Sequence, residues 1–373
     1  MNRWKLAAAA LAAGSVQLAA GGAAAQDAIW VGVAQVFEGP SGYYGDAAYK
    51  GMQVGADLIN EKGGLFGRKI SFITEDTQGR PATGTAVVRK LAQQERILAI
   101  LGPTRTVVAI AAAPVANELK IPMVAQNSGG KWPQPAGPWV FKLAMPAYEH
   151  GPLMKFVVEK YKPKTMSVIY DLDDEAAISA FDDIKVQARQ HNIRIVATEA
   201  HRGSDVDMAP QITRIRAANP DIFYYASKAE TGALVIRTAR ERGISAPIVA
   251  WPAPGGIEKI AKDAANGVIT QSALDPDSAE EVTKDFVARY RKKFGPDAKL
   301  DQYHGYGFDA ILFLADAIRR AGPGVNRQSL RDALAATKNL KGSTGTLSWN
   351  GSEVSRSTAA LVKMEKGAWV TLN

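Results

Sequence analysis

The chain has 373 residues, of which 46% are hydrophobic and 22% are charged, with 34 glycines, 19 prolines and a formal net charge of +8. This balance excludes a collagen-like chain, a disordered chain and a membrane protein with many spans, and the length favours two domains with separate cores. Cysteine is absent, which excludes disulfides, thiolate metal sites, a cysteine nucleophile and a lipid anchor on cysteine. Lysine and arginine are scattered along the chain, so nucleic-acid binding is not predicted.

The first 25 residues have the organisation of a secretory signal peptide. Arg3 and Lys5 give a positively charged start, residues 6–13 form a short apolar run, and residues 23–25 are three alanines. The apolar run is too short to span a bilayer. We therefore expect a soluble, periplasmic protein whose mature chain begins near Gln26. A disordered alanine-rich leader is the alternative.

Beyond this leader, short apolar runs alternate with segments of helical periodicity. The first series has predicted strands at 29–33, 69–73, 97–101 and 122–125 and predicted helices at 45–61, 83–94 and 106–119. The alternation then restarts, with strands at 140–143, 165–170, 193–198, 222–226 and 248–251 and helices at 148–161, 175–191, 210–217 and 231–242. The chain closes with helices at 279–294, 305–320 and 328–337 and weak strands at 345–349 and 359–364. Two such series predict an α/β protein with two doubly wound lobes, each built on a parallel sheet.

Signatures of catalysis are missing from this pattern. There is no P-loop, no Gly-x-Gly-x-x-Gly after a strand and no Gly-x-Ser-x-Gly elbow, and no two of the four histidines have an i, i+3 or i, i+4 spacing. Acidic residues cluster between Asp171 and Glu175, where they could bind a cation, although a helix N-cap explains them better. We therefore predict no catalytic residue, no metal and no cofactor. An exported α/β hydrolase remains the enzyme alternative.

Polar loops follow several of the predicted strands. They occupy residues 37–45, 102–106, 126–130 and 226–229, and Trp251 ends a further strand. Because the carboxyl ends of parallel strands share one edge of a sheet, and helix N-termini present free N–H groups there, ligands bind at that edge. Taken alone, each loop is better explained as an ordinary capped turn. Their common placement predicts a ligand site.

The segment Asn60-Glu61-Lys62-Gly63-Gly64, followed by Gly67-Arg68, resembles a helix-to-strand signature of periplasmic leucine/isoleucine/valine-type solute-binding proteins. Further matching pieces are Gly39-Pro40, Tyr44-Gly45, Asp76, Gly102-Pro103, Thr106, Ile121-Pro122 and Phe223-Tyr224-Tyr225. The order and spacing of these pieces match the family over residues 29–350. The resemblance implies two doubly wound parallel-sheet lobes joined by three crossings, which is the type I or Venus-flytrap fold of periplasmic binding proteins.

The resemblance also implies a division of the chain and a set of partners. Residues 27–142 with 272–346 would form one lobe, and 143–271 with 347–373 the other. A monomer of this kind would close on a small-molecule ligand and deliver it to an ABC importer made of inner-membrane permease and ATPase subunits. A ligand sensor with the same fold is the alternative, and it would differ in its partner rather than in its pocket.

The family pattern also suggests individual site residues. Thr106 matches the hydroxyl that binds a ligand carboxylate in the family, and backbone N–H groups at 127–129 would share that anion, although Gly129 stands where the family has a hydroxyl. Tyr44 fits an aromatic wall, and polar or aromatic neighbours in the same loops complete the set. The candidate ligand-binding residues are Phe37, Tyr44, Thr104, Arg105, Thr106, Asn127, Ser128, Gly129, Asp174, Ser227 and Trp251.

The second lobe departs from the family pattern in a way that concerns the ligand. Family members that bind α-amino acids have an acidic residue shortly after the strand matching 248–251, whereas residues 251–254 contain none. They also have a Tyr-Gly pair where this chain has Asp174-Glu175-Ala176. A buried ammonium without a carboxylate partner costs several kcal/mol, which argues against an α-amino acid.

Two ligand classes therefore stay open. Phe37, Tyr44 and Trp251 are suited to stacking on a flat apolar body, and Arg105 to a bidentate contact with a carboxylate, which favours an aromatic or branched organic acid. In the alternative, the ligand is a branched-chain or other aliphatic amino acid, and Asp174 or Glu175 binds its ammonium.

Overall fold

The computed structural model describes residues 28–39, 41–130, 132, 137–146, 149–251, 255–357 and 359–372. The predicted signal peptide at 1–25, the start of the predicted helix at Tyr148 and the residues 252–254 lie outside the described residues. Within the described part of the chain, every helix is too short or too polar to serve as a transmembrane span.

Strands and helices alternate along most of the chain. The strands are β1 (Ile29–Gln35), β2 (Ile70–Asp76), β3 (Ile97–Leu101), β4 (Met123–Ala125), β5 (Val140–Lys142), β6 (Thr165–Asp171), β7 (Arg194–His201), β8 (Ile222–Ala226), β9 (Ile248–Ala250), β10 (Ile269–Ser272), β11 (Leu340–Gly342), β12 (Gly345–Trp349), β13 (Val354–Arg356), β14 (Ala360–Glu365) and β15 (Ala368–Thr371). The helices are α1 (Gly42–Glu61), α2 (Pro81–Ala92), α3 (Thr106–Glu118), α4 (Gly151–Tyr161), α5 (Glu175–Gln190), α6 (Ala209–Ala217), α7 (Ala229–Glu241), α8 (Ile257–Ala261), α9 (Glu281–Phe294), α10 (Gln302–Ala321) and α11 (Arg327–Ala335).

The strands form two large sheets and one small one. A five-stranded sheet has the order β2-β1-β3-β4-β5 and a seven-stranded sheet the order β15-β14-β10-β9-β8-β6-β7. The pairs within the first sheet are parallel, as are those from β7 to β10 in the second, whereas β14 and β15 pair antiparallel. The small antiparallel sheet contains β11, β12 and β13. This topology confirms the predicted α/β fold with two doubly wound lobes.

The chain passes three times between the two large sheets, after β5, after β10 and between β13 and β14. We call the five-stranded sheet with α1–α3, α9–α11 and the small sheet the first lobe, and the seven-stranded sheet with α4–α8 the second lobe. The predicted lobe boundaries remain predictions. We propose that the third boundary falls after β13 rather than at residue 346, because Trp349 of β12 packs on Phe141 of β5, with 4.9 Å between ring centroids.

Two glycines allow α1 and α10 to pack closely in the first lobe. A Cβ atom on Gly51 would lie 1.9 Å from the carbonyl oxygen of His304, and one on Gly307 would lie 1.8 Å from that of Ala48. No side chain fits at either position, so the two helix backbones touch. This contact brings the first turns of α1 and α10 together, and the rings of Tyr44 and Tyr303 lie 4.7 Å apart as a result.

A buried carboxylate fixes the start of α10. One oxygen of Asp301 accepts the backbone N–H of Tyr303 at 2.9 Å, within a capping box completed by His304, and the other accepts the hydroxyl of Tyr43 at 2.7 Å. Replacing Asp301 by alanine should lower the free energy of unfolding by about 2 kcal/mol, because a cap and a buried hydrogen bond are both lost. Urea denaturation followed by circular dichroism measures this change.

The matched control is the capping residue Asn326 of α11, which accepts the backbone N–H groups of Gln328 and Ser329 at 3.0 Å each. Asn326→Ala should cost about 1 kcal/mol, because it removes only an exposed cap. An Asp301→Ala variant that unfolds at the urea concentration of the parent protein would contradict the expectation.

Candidate functional site

A cavity lies between the two lobes, where the carboxyl edges of the two large sheets face each other. The first lobe contributes Tyr44, Thr104, Arg105, Thr106, Ser128 and Tyr303, and the second contributes Asp174, Ala176, Lys228 and Trp251. Larger cavities of about 390 and 500 Å³ are lined in part by the β14–β15 hairpin and by residues within 275–283 and 296–301. The interlobe cavity is the candidate site because the loops after β3, β4, β6, β8 and β9 converge on it.

The cavity has a volume of about 30 Å³. That is a small space, enough for only a few water molecules. The lobes therefore meet around the site in a closed arrangement. Because a ligand with a carboxylate and an apolar body is larger than this space, we expect the lobes to part before it binds.

Hydroxyl groups of the first lobe are held in place by buried hydrogen bonds. The Oγ1 atom of Thr106 accepts the backbone N–H of Gly129 at 3.2 Å and the amide of Asn127 at 3.4 Å. The backbone N–H of Thr104 donates to the side chain of Gln35 at 3.0 Å, and its Oγ1 atom finds no partner among the described residues. This loop therefore contains an unsatisfied hydroxyl, that of Thr104, whose backbone is fixed by a hydrogen bond to Gln35.

Arg105 stands between these two threonines, directly before the N-terminus of α3. Its guanidinium donates to the hydroxyl of Ser41, which anchors the side chain within the first lobe. The guanidinium and the helix N-terminus both favour a negative charge at this point. The first-lobe side of the cavity is thus suited to an anionic group.

The acidic cluster after β6 acts mainly within the protein. Asp174 caps α5, since its side chain accepts the backbone N–H of Ala176 at 3.0 Å, in agreement with the predicted N-cap. The ammonium of Lys228 lies 3.4 Å from a carboxylate oxygen of Asp171 and 3.8 Å from one of Asp174. One lysine therefore lies between two carboxylates on the second-lobe side of the cavity.

Three aromatic side chains form the apolar part of the cavity wall. Tyr44 and Tyr303 pack on each other in the first lobe, and Trp251 approaches from the second lobe with only 3% of its surface exposed. The hydroxyl oxygen of Tyr44 accepts the backbone N–H of Ala229 at 3.1 Å, which joins the first lobe to the start of α7. Burial raises the pKa of Tyr44, so the hydroxyl stays protonated and remains a donor.

Four of the predicted site residues do not line the cavity. Phe37 lies in the turn between β1 and α1 and packs edge-on against Tyr49, with 5.6 Å between the ring centroids. Asn127 and Gly129 support Thr106 from behind, and the hydroxyl of Ser227 is bonded to a ring nitrogen of His201 at 2.7 Å. The expected stacking of Phe37 on a ligand is therefore not supported.

Sequence analysis missed three residues that do line the cavity, namely Ala176, Lys228 and Tyr303. Lys228 belongs to the loop at 226–229, which is predicted to lie at this edge of the sheet. The location of its loop was therefore predictable from the sequence, whereas its approach to Asp171 and Asp174 was not. Tyr303 precedes the predicted start of its helix at residue 305, although Asp301 is a readable N-cap signal. Its pairing with Tyr44 depends on packing between residues far apart in the chain, and no local pattern reports this.

Gly129 marks a contact between the lobes. A Cβ atom at this position would lie 2.8 Å from both the Cα and the nitrogen of Ala176 in the second lobe. Beside it, the backbone N–H of Gly130 donates to the hydroxyl of Ser179 at 2.9 Å. Gly129, at the position where the family has a hydroxyl-bearing residue, therefore lets the loop after β4 contact the first turn of α5.

Comparison with known proteins agrees with this architecture. A family model described as periplasmic binding protein matches residues 28–367. The Leu/Ile/Val-binding protein BraC3 of Rhizobium johnstonii is 24% identical over 351 residues, which cover 91% of this chain and 92% of that protein.

Two solved structures share the fold over nearly their whole length. The substrate-binding protein LivJ of Streptococcus pneumoniae, in complex with isoleucine, has a TM-score of 0.84 at 22% identity and covers 92% of this chain and 100% of its own. The leucine-binding protein LivK of Thermotoga maritima has a TM-score of 0.84 at 21% identity, with coverages of 92% and 98%. The chain belongs to the family of periplasmic binding proteins.

Proposed function

We propose that this protein is an extracytoplasmic solute-binding protein that captures a small carboxylate-bearing ligand between its lobes and delivers it to an ABC importer. An aromatic or branched organic acid is the favoured ligand. Family membership supports the solute-binding role. Export by the signal peptide, release of the mature chain near Gln26, a monomeric state and delivery to permease and ATPase subunits are parts of this proposal, as is the absence of catalysis.

The observation that carries the proposal is the donor set on the first-lobe side of the cavity. Arg105, the hydroxyls of Thr104 and Thr106, and the N-terminus of α3 meet at one place. A carboxylate there would receive a charge-assisted contact from the guanidinium and further hydrogen bonds from the hydroxyls. Each hydrogen bond to a charged group contributes about 1.5–3 kcal/mol when it is desolvated.

The second-lobe side supports an organic acid rather than an α-amino acid. Asp174 is committed to the cap of α5, and its remaining oxygen faces Lys228, as does the carboxylate of Asp171. No lining residue among those described therefore offers an uncommitted carboxylate to an ammonium. An ammonium placed here would have to be buried without a carboxylate of its own to pair with.

The aromatic wall supports a ligand with a flat or branched apolar body. Tyr44, Tyr303 and Trp251 surround the site from both lobes, and aromatic faces of this kind stack on rings with about 0.5–1.5 kcal/mol beyond the area that they bury. Closure then follows from binding, because a ligand that touches both lobes stabilises the arrangement in which they meet.

A branched-chain amino acid is the second candidate. Its support is that relatives of this chain are Leu/Ile/Val-binding proteins and that a solved structure with the same fold is a complex with isoleucine. Asp174 would then have to leave Lys228 and bind the ligand's ammonium, since Asp174 rather than Glu175 lines the cavity. A sensor that uses the same pocket would share the ligand and differ only in its partner.

A ligand panel tests the proposal. We expect benzoate, phenylacetate or 4-methylvalerate, at about 100 times its dissociation constant, to raise the melting temperature by at least about 4 °C, because binding then adds about 2.7 kcal/mol. Leucine, isoleucine and valine, at the same concentrations as the acids, should give smaller shifts in melting temperature. Calorimetric titration would supply the affinities, and NMR of the recovered ligand should show it unchanged. Tight binding of leucine without any response to the acids would reject the organic-acid proposal in favour of the amino acid.

A further inference from the structure

Lys228 is the cavity-lining residue that the family pattern does not explain. Its ammonium sits between Asp171 and Asp174, its side chain is only 14% exposed, and that of Asp171 is fully buried. The two separations, 3.4 and 3.8 Å, are longer than an ordinary charge-assisted hydrogen bond of about 2.7–2.9 Å. The carboxylates therefore hold the ammonium in place by charge while leaving its N–H groups free to donate elsewhere.

Trp251 adds a second donor on the same side of the cavity. Its indole Nε1 atom is buried and has no hydrogen-bond partner among the described residues. Lysine and the indole nitrogen are donors only and accept no hydrogen bond. A ligand group that reaches this side must therefore supply an acceptor.

The net charge of Lys228 with its two carboxylate neighbours distinguishes a charged acceptor on the ligand from a neutral one. Lys228 carries one positive charge and faces two carboxylates, so the group as a whole is already negative when both carboxylates are ionised. A second carboxylate on the ligand would be repelled by this excess. A neutral oxygen, such as a hydroxyl or a carbonyl, accepts the same hydrogen bonds without that repulsion.

We propose that Lys228, together with Trp251, recognises a neutral oxygen at the end of the ligand remote from its carboxylate. The ligand class is then a hydroxy- or oxo-substituted carboxylic acid. This inference rests on the proposed function, in which Arg105 and its neighbours bind the carboxylate, and it adds the specificity of the second lobe.

Matched acid pairs test the inference by calorimetry on the purified full chain. The pairs are benzoate with 4-hydroxybenzoate and 4-methylvalerate with 4-oxovalerate, and terephthalate serves as a dicarboxylate probe. We expect the oxygen-bearing member of at least one pair to bind about 10-fold or more tightly than its partner, because a site built for a hydrogen bond discriminates against the analogue that lacks it. Terephthalate should bind no better than benzoate.

The variants separate recognition from folding. Lys228→Met leaves Asp171 buried without its cation, so the informative comparison is Asp171→Asn against the double variant Asp171→Asn/Lys228→Met. The single variant should keep the preference for the oxygen-bearing acid. The double variant should reduce that preference to within about 2-fold. Arg202→Met, which removes an exposed cation paired with Asp173, is the control outside the cavity.

The outcomes distinguish the two proposals. If the plain acids bind but the oxygen brings no gain, or if the gain survives in the double variant, Lys228 is not the specificity residue, although the proposed function stands. If terephthalate binds best of the panel, the second-lobe group accepts a charge and the neutral-oxygen inference is wrong. If no acid of either pair binds, the proposed function itself fails, and this inference fails with it.

Discussion

Replacing Arg105 by methionine should weaken the binding of a carboxylate ligand by at least about 100-fold, which corresponds to about 2.7 kcal/mol. The guanidinium lines the closed cavity beside the N-terminus of α3 and is held there by Ser41. Methionine retains most of the apolar stem and removes the charge and the donors. The loss is therefore assigned to the anion contact rather than to packing. Calorimetric titration with the tightest acid of the panel measures it.

The conservative variant refines the interpretation. Arg105→Lys keeps the positive charge but cannot form the planar two-point contact, so its affinity should fall between those of the parent protein and Arg105→Met. Arg89→Met is the matched control, because Arg89 forms an exposed ion pair with Glu118 on the surface of the first lobe. An Arg105→Met variant that binds benzoate as the parent protein does would remove the main support for a carboxylate ligand.

Local sequence patterns predicted the large sheets well, for a physical reason. Their strands are short apolar runs buried on both faces, such as Ile97–Leu101 and Ile222–Ala226, and the predicted limits of both agree with the structure. Strand β10 was missed because it reads Ile-Thr-Gln-Ser and lacks an apolar run. The hydroxyl of Thr270 is satisfied across the sheet, where it donates to the carbonyl oxygen of Trp251 at 2.8 Å.

The cavity was predictable only in part. Loops at the carboxyl ends of parallel strands must share an edge, which is why Thr106, Ser128 and Trp251 line the same cavity. The positions of Phe37 and Tyr303 depend instead on how helices pack on the sheet. Phe37 turns toward Tyr49, and Tyr303 reaches Tyr44 because α1 and α10 approach through glycines. Such contacts are set by three-dimensional packing, which no sequence period encodes.

Closure of the lobes should be sensitive to a single methyl group at Gly129. The Cβ of Gly129→Ala would lie 2.8 Å from backbone atoms of Ala176 in the other lobe, a distance that real Cβ contacts essentially never show. It would also lie 2.8 Å from the hydroxyl of Thr106, a side-chain group that can shift more easily than the backbone of α5 can. The methyl group therefore acts mainly against the closed arrangement.

Because ligand affinity depends on the fraction of molecules that can close, Gly129→Ala should weaken the binding of every ligand by about 50-fold or more. Small-angle scattering should show a smaller ligand-induced decrease in the radius of gyration than in the parent protein. The unfolding free energy without ligand should change by less than about 1 kcal/mol, since the separated lobes have room for the methyl group.

Gly324→Ala is the matched control, because a Cβ atom at Gly324 would meet nothing within 4 Å. It should leave both the affinity and the ligand-induced compaction unchanged. If Gly129→Ala also closes and binds as the parent protein does, the loop after β4 does not meet α5 in the liganded state, and the lobes must close in another orientation. If affinity falls while compaction persists, the methyl group disturbs Thr106 within the first lobe rather than the contact between the lobes.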